Sequence, residues 1–285
     1  MAMIAGGPTV ADVMARLAAG RPVFHSEADF QHAFGQVLHG LAASCGIRLK
    51  VPQGHSLQGQ VEHLDLLCFG PQGRTAIEFK YFKASWTGIV SAGDGPSTET
   101  FELRNHSATD EGRRDYVFDI ARLEQLCAAQ PGTNGVAIML SNAQGLWRPP
   151  KVAPLTRDRE FRIHEGAVLS GTLKWGGGDY PKNTRTLSGS YPMAWQPYSD
   201  LPGPRGEFPW VAAEVMPRAP RPTRPGAPVR ERCCAPSSTS RSPTRPLRPT
   251  RAGSPVPARK RPRPVLLQKF GSRSSACRLT PSRLG

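Results

Sequence analysis

The sequence lacks several features that would place it in a familiar class. No run approaches about 18 consecutive apolar residues, so we expect no membrane-spanning helix and no membrane partner. The first segment contains no basic stretch followed by an apolar one, so we expect no secretory signal peptide. The six cysteines form no C-x-x-C pair, and three of them lie in apolar runs, which favours reduced cysteines and a cytoplasmic protein.

Short catalytic motifs are also missing. The chain has no Walker A loop, no G-x-G-x-x-G, no G-x-S-x-G and no H-E-x-x-H. These absences argue against a P-loop nucleotide hydrolase, a dinucleotide-binding domain, a nucleophile-elbow hydrolase and a zinc protease. Catalytic residues, where present, must therefore be dispersed along the chain.

Charge is distributed unevenly along the 285 residues. Residues 217–285 contain 15 Arg, 2 Lys and one acid, a formal charge of +16, whereas residues 1–216 carry a charge of −1. The basic segment also has 14 Pro and few large apolar side chains, so we expect a disordered tail. Two interpretations stay open: a nucleic-acid-binding arm, because Arg-rich segments neutralise phosphates, or non-native sequence, because GC-rich DNA read in a wrong frame encodes Arg, Pro, Ser and Ala.

Hydrophobic periodicity predicts a mixed α/β core over residues 1–150. Thr9 and Asp12 mark the start of a first helix, and a second begins at Ser26 with apolar side chains at helical spacing. Residues 151–216 alternate in a way that predicts a β-rich extension packed on the core. The other predicted elements are three strands, a polar stretch, a helix and an apolar strand, at 47–51, 61–69, 75–82, 84–112, 113–129 and 136–140.

Four residues of the core carry side chains suited to metal-assisted chemistry. On a helical wheel Glu27 falls inside the apolar stripe of the second helix, so its carboxylate points toward the core. Asp65 lies in an apolar strand, where a buried carboxylate must be paired or bind a metal. In the next strand, alternation places Glu78 and Lys80 on one face. The structural alternatives are a helix-dipole contact for Glu27 and a solvated ion pair for Glu78 and Lys80.

The spacing of these residues resembles a known motif. Asp65, twelve residues, Glu78, one residue and Lys80 are similar to the PD-(D/E)XK motif of the restriction-endonuclease-like phosphodiesterases, with Leu64 in place of the motif's Pro. The helix that bears Glu27 and the α-β-β-β-α-β order of elements also resemble that superfamily's core. Wider segments such as FHSEADFQ and IEFKYF resemble an uncharacterised bacterial family built on the same core.

The resemblance implies a restriction-endonuclease-like fold and a nuclease that hydrolyses phosphodiester bonds in nucleic acid, with DNA as the favoured substrate. It implies that Asp65, Glu78 and the backbone carbonyl of Phe79 hold Mg²⁺ or Mn²⁺, a hard cation that prefers oxygen ligands. Glu27 would extend this site, and Lys80 would orient the attacking water or stabilise charge on the phosphoryl group. Two other classes stay open: a non-catalytic nucleic-acid- or protein-binding module with the same fold, and an α/β domain whose charge pairs are structural.

Other polar and aromatic residues have simpler interpretations. Arg113 and Arg114 are expected on a solvated helix face, and Asp119 and Arg122 as a pair on the surface of the same helix. Asn142 follows the last core strand and is an alternative candidate for lining the site. We expect the tryptophans at 147, 175, 195 and 210 to pack in the protein and not to stack on bases. We expect the histidines at 25, 32 and 39, on the polar side of the second helix, to face solvent.

Overall fold

The computed structural model of the protein describes residues 3–53, 62–91, 97–151 and 155–216. The basic segment 217–285, for which the composition predicts disorder, lies outside the described residues. The helices and strands are, in chain order, α1 (Val10–Gly20), α2 (Glu27–Leu41), β1 (Gly46–Gln53), β2 (Glu62–Gly70), β3 (Gly73–Phe82), β4 (Trp86–Ser91), β5 (Thr98–Leu103), α3 (Thr109–Ala129), β6 (Thr133–Ser141), α4 (Gln144–Trp147), β7 (Val168–Leu173), β8 (Arg185–Pro192), β9 (Gln196–Asp200) and β10 (Glu207–Val215). Along these ranges, no helix has both the length and the apolar character that crossing a membrane requires.

The first two helices begin at the caps that the sequence predicts. The Thr9 hydroxyl accepts a hydrogen bond from the Asp12 N–H at 3.2 Å, and the Asp12 carboxylate accepts one from the Thr9 N–H at 2.9 Å, which closes a capping box. The Ser26 hydroxyl accepts from the Asp29 N–H at 3.2 Å and caps α2. These local contacts define where the chain turns into each helix.

A six-stranded mixed sheet forms the centre of the fold, with the order β1-β2-β3-β6-β10-β9. Strands β3 and β6 run parallel, and the other neighbouring pairs run antiparallel. Parallel neighbours need a crossover connection, and here the chain between them includes α3, which packs on the sheet. The α/β class with a mixed sheet that the sequence predicts is thereby confirmed.

Each face of the sheet has its own apolar core. Helices α1 and α2 pack on one face, where they cover Phe79 and Tyr81 of β3. Helix α3 and the β7–β8 hairpin pack on the other face, together with Phe82. Because successive strand residues point to opposite faces, Glu78 and Lys80 project toward α3.

The polar stretch over 84–112 contains a hairpin that the sequence analysis did not predict. Strands β4 and β5 pair antiparallel outside the main sheet. Trp86 and Phe101 are buried in the core shared with α1 and α2, whereas Ile89 on the opposite side is 71% exposed. Short strands rich in Ser, Thr and Glu, with one apolar face, give too weak an alternation to be recognised from the sequence.

Residues 151–216 supply strands to the same sheet. Strand β10 pairs antiparallel with β6, and β9 pairs with β10. The β7–β8 hairpin is attached to α3 through Glu124, whose carboxylate accepts hydrogen bonds from the N–H groups of Ser188 and Gly189 and from the Tyr191 hydroxyl. The segment thus extends the central sheet and covers α3.

Candidate active site

The site begins where strands β2 and β3 stop pairing. Their paired positions run from the connecting turn to Leu66 and Ile77, and the same register would next place Asp65 opposite Glu78. On its other side, β3 stays paired with β6 as far as Phe82. Beyond Ile77, β3 therefore has one paired edge and one edge along which the described residues provide no paired strand.

Two carboxylates satisfy the backbone along this open edge of β3. Asp65 Oδ2 accepts a hydrogen bond from the Phe79 N–H at 2.9 Å, and Glu27 Oε2 accepts one from the Tyr81 N–H at 3.0 Å. Glu27 reaches the edge from the first turn of α2. Buried backbone donors need partners, so these acids replace the missing strand. Because alternate residues of a strand are about 7 Å apart, the two carboxylates lie side by side along the edge.

Glu78 and Lys80 face α3, which supplies a partner for each of them. The Lys80 ammonium lies 2.7 Å from Asp119 Oδ2, and the Lys80 side chain is 24% exposed. Arg122 Nη2 lies 2.8 Å from Asp119 Oδ1 and 2.8 Å from Glu78 Oε1. Basic and acidic residues alternate along this row, in the order Lys80, Asp119, Arg122 and Glu78. The four residues that the sequence predicts for the site, which are Glu27, Asp65, Glu78 and Lys80, therefore lie together at one end of β3.

Asp119 and Arg122 form the pair that the sequence predicts, 2.8 Å apart, but the prediction that this pair lies on the helix surface is wrong. Asp119 is 4% exposed and lies between Tyr116 and Ile120, which are fully buried. Its carboxylate consequently faces the sheet and Lys80, not solvent. Asp119 precedes Leu123 by one turn and lies beside the apolar stripe of α3, not within it, so the helical-wheel rule used for Glu27 does not identify it.

A basic residue that the sequence analysis did not single out, Lys50, contacts the remaining oxygen of Asp65. The register of β1 with β2 places Lys50 opposite Asp65, one step from the Leu49–Leu66 pair. Its ammonium binds Asp65 Oδ1, and its side chain is 55% exposed. Its φ of 51° is left-handed, which is uncommon for a residue other than glycine. Register alone brings it to the site, so no local sequence pattern marks it.

Burial raises the pKa of three carboxyl groups in this cluster. For Glu78, burial is the largest cause and the Asp119 carboxylate the second, while Arg122 opposes both. Burial likewise raises the pKa of Glu27 and of Asp119, and Lys80 opposes these rises. Burial works against the charged form of Lys80, but Asp119 and Glu27 outweigh it and raise the Lys80 pKa. Several acids therefore share a poorly solvated space, an arrangement that favours bound cations.

The oxygen donors at this edge suit a hard divalent cation. Mg²⁺ is commonly held by one or two carboxylates and keeps several waters, a set that Asp65, Glu78 and the Phe79 carbonyl can provide. Glu78 Oε1 is buried and accepts no hydrogen bond, although the Arg122 guanidinium lies beside it. Across the described ranges, no three acidic, histidine or cysteine side chains are already arranged as a metal-binding group. In the structure the Lys50 ammonium contacts Asp65, and the Arg122 guanidinium contacts Glu78.

A cavity of 450 Å³ adjoins the cluster. Glu27 and Lys80 line it together with Tyr81, Phe82 and His106, next to the N-terminal end of α3. The cavity has ample room for a phosphodiester group. Its lining also includes Glu111 and Asp115, so the Lys80 ammonium shares this cavity with three carboxylates.

Two other polar candidates have structural partners. Arg113, expected on a solvated helix face, is 5% exposed, pairs with Asp158 and donates to the Gly145 carbonyl at 2.6 Å, so that expectation is wrong. A buried guanidinium needs a buried acid, and Asp158 is remote in sequence. The Asn142 side chain accepts from the Ala84 N–H at 2.7 Å and donates to the Ala84 carbonyl, which fixes the chain after β3.

Aromatic side chains and histidines mostly follow the simple expectation. Trp175 and Trp210 are buried, and Trp147 and Trp195 are half-buried. The three histidines of the second helix and its cap are exposed, at 25, 32 and 39. These residues are accordingly assigned to packing and to the surface.

Comparisons with known proteins identified no relative of the chain. A scan against protein-family models, a search of curated proteins and a search of solved structures each found no match to the chain. The functional interpretation therefore depends on the residues and geometry of the site.

Proposed function

We propose that this protein is a metal-dependent nuclease of the PD-(D/E)XK type, which hydrolyses phosphodiester bonds in nucleic acid, with DNA as the favoured substrate. The observation that carries the proposal is the position of Asp65, Glu78 and Lys80 where β2 and β3 separate, with Lys80 also lining a cavity. Acids and an ammonium at one strand end are the groups needed to bind a divalent cation and to stabilise negative charge on a phosphoryl group.

The order of the elements supports the same proposal. Helix α2, strands β1 to β3, helix α3 and strand β6 follow one another in αβββαβ order, with the β4–β5 hairpin inserted before α3. The first three strands form an antiparallel meander, and β6 lies parallel to β3. This arrangement resembles a restriction-endonuclease-like core and supports the proposal. The likeness is an analogy of fold, and the chemistry must come from the site itself.

The side chains have distinct roles in this proposal. Asp65, Glu78 and the Phe79 carbonyl would hold Mg²⁺ or Mn²⁺, and such an ion supplies a water of lowered pKa and offsets charge on the phosphoryl group. Lys80, fixed by Asp119, donates hydrogen bonds to the attacking water and to a phosphoryl oxygen. In this step the water oxygen would bond to phosphorus and its proton would pass to solvent, while the bond from phosphorus to the leaving sugar oxygen would break and that oxygen would take up a proton from solvent.

A non-catalytic domain with structural ion pairs is the second candidate, and one observation favours it. Asp65 contacts Lys50, Asp119 contacts Lys80, and Glu78 lies beside Arg122, so the acids already have basic neighbours. Pairing of this kind is what a structural network requires. The two candidates differ in what they predict for metal ions and for cleavage.

Cleavage assays on plasmid DNA, linear DNA and single-stranded RNA test the proposal. We expect cleavage with Mg²⁺ or Mn²⁺, and none with a chelator, because the site has only oxygen ligands and a lysine. Asp65→Asn, Glu78→Gln and Lys80→Met should each reduce the rate at least ~100-fold, the usual scale for losing a group that stabilises transition-state charge. Glu102→Gln, which changes an exposed acid of β5, is the matched control and should keep the wild-type rate.

Two results would contradict the nuclease proposal. One is undiminished cleavage in the chelator, which would exclude a metal-activated water. The other is a wild-type protein whose melting temperature ignores Mg²⁺ and Mn²⁺ and which cleaves none of the substrates, as expected for the structural network.

A further inference from the structure

We propose that Lys50 is a displaceable counter-ion of Asp65, which occupies the position of a divalent cation in the metal-free protein and sets the affinity of the site for that cation. The inference rests on the metal site of the proposed function. It goes beyond it because Lys50 lies outside the motif and takes no part in the hydrolysis.

The two oxygens of Asp65 have different partners. Oδ2 accepts the hydrogen bond from the Phe79 N–H at 2.9 Å, which ties it to the backbone of β3. Oδ1 binds the Lys50 ammonium. Each carboxylate oxygen has two acceptor sites, and Oδ1 is the oxygen that no backbone group contacts, so a cation that binds Asp65 there meets the Lys50 ammonium. Ammonium and divalent cation therefore compete for the same place, and their charges repel each other.

Lys50 is able to leave, whereas Lys80 is held. The Lys50 side chain is 55% exposed, so its charged end can return to water at little cost. The Lys80 side chain is 24% exposed and is bound to Asp119 at 2.7 Å. The two lysines thus have different roles. Lys80 stays in position to contact the phosphate, whereas Lys50 leaves Asp65 when a cation binds.

The backbone of β1 is shaped for this contact. Lys50 has a left-handed φ of 51° at the position opposite Asp65, inside a strand that is otherwise extended. Such a conformation is unfavourable for a residue with a side chain and persists where surrounding contacts compensate for it. Asp65, whose side chain is 8% exposed, needs a positive partner while no metal is bound, and Lys50 is the side chain in contact with its Oδ1.

Removal of the Lys50 charge should consequently have two effects of opposite sign. The metal-free protein should become less stable, because Asp65 loses its counter-ion. The affinity for a divalent cation should rise, because a competing positive charge is gone. A merely structural lysine would produce the first effect without the second.

Calorimetric titration of the full-length protein with Mn²⁺ alone, and thermal melting with and without it, test this inference. Lys50→Met should bind Mn²⁺ at least ~10-fold more tightly than wild type and should melt at a lower temperature without metal. Lys50→Arg keeps the charge and should bind Mn²⁺ as wild type does. Arg48→Met is the matched control, because it removes a positive charge from the exposed Arg48 of the same strand without touching Asp65. If Lys50→Met does not fold, Lys50→Gln replaces it as the variant that lacks the Lys50 charge.

Each outcome decides the matter. Equal or weaker Mn²⁺ binding by Lys50→Met, or an equal gain in Arg48→Met, would overturn the inference while leaving a metal-dependent nuclease intact. Tighter binding by Lys50→Met in a protein that cleaves no nucleic acid would support the inference and remove the proposed function. Absence of Mn²⁺ binding in wild type and in the uncharged variants would overturn both.

Discussion

Breaking the buried Lys80–Asp119 ion pair one partner at a time, and then removing both partners, separates catalysis from stability. Asp119 is 4% exposed, and the distance from its Oδ2 to the Lys80 ammonium is 2.7 Å. Loss of one partner of a buried pair typically costs 3–5 kcal/mol, because it strands the other charge. Since the Lys80 side chain is 24% exposed, we take the lower end, about 3 kcal/mol, for Lys80→Met.

The double variant should behave differently. Replacing both partners by apolar side chains of similar size is often neutral or stabilising, so Lys80→Met with Asp119→Leu should recover at least ~2 kcal/mol relative to the sum of the single changes. Arg122 keeps Glu78 at 2.8 Å when Asp119 is replaced, so it is not left alone. For the single variant Lys80→Met, a loss of about 3 kcal/mol in a domain of this size corresponds to a fall of roughly 6–12 °C in the melting temperature.

Four proteins are compared: wild type, Lys80→Met, Asp119→Leu and the double variant. Denaturant unfolding measures the stability of each protein, and the DNA cleavage assay with Mg²⁺ measures its rate. The nuclease proposal expects the double variant to be folded and close to wild type in stability, yet inactive, because no ammonium faces the cavity. Cleavage by that variant at the wild-type rate would refute the role of Lys80. A coupling energy near zero would refute the buried pair itself.

Two further predictions concern Glu78 and the basic segment. Burial raises the pKa of Glu78 in the folded protein, so its protonated form adds stability below the ordinary glutamate pKa, and this contribution is lost as the pH rises through the raised value. Between pH 5 and 9, roughly the range from the ordinary glutamate pKa to the raised pKa of Glu78, the melting temperature of Glu78→Gln should therefore fall less than that of wild type. An identical fall in the two proteins would contradict a raised pKa for Glu78. A chain ending at Val215 should melt within about 2 °C of the full-length protein and bind nucleic acid less strongly at low salt, because a +16 segment neutralises phosphates; loss of its unfolding transition would show that the boundary is misplaced.

Local patterns in the sequence were sufficient to predict the main elements and the direction of several side chains. The capping residues Thr9 and Ser26 mark real helix starts, because a cap acts on N–H groups within three residues of itself. Alternation along β3 predicts that Glu78 and Lys80 share a face, because the strand period is two. The position of Glu27 on the helical wheel predicts that it points inward, and its carboxylate does reach β3.

The partners of these side chains depend on tertiary contacts between elements that are distant in sequence. Lys80 and Asp119 are 39 positions apart and come together because α3 packs on the face of β3 that bears Lys80. Lys50 meets Asp65 through the register of two strands, and Arg113 is buried because Asp158, 45 positions away, lies beside it. The direction of a side chain follows from the period of the local backbone where the pattern is clear, as for Glu78 and Lys80, but the inward directions of Arg113 and Asp119 were not recognised from the sequence. Partners depend on how separate elements pack, and no local period contains that information.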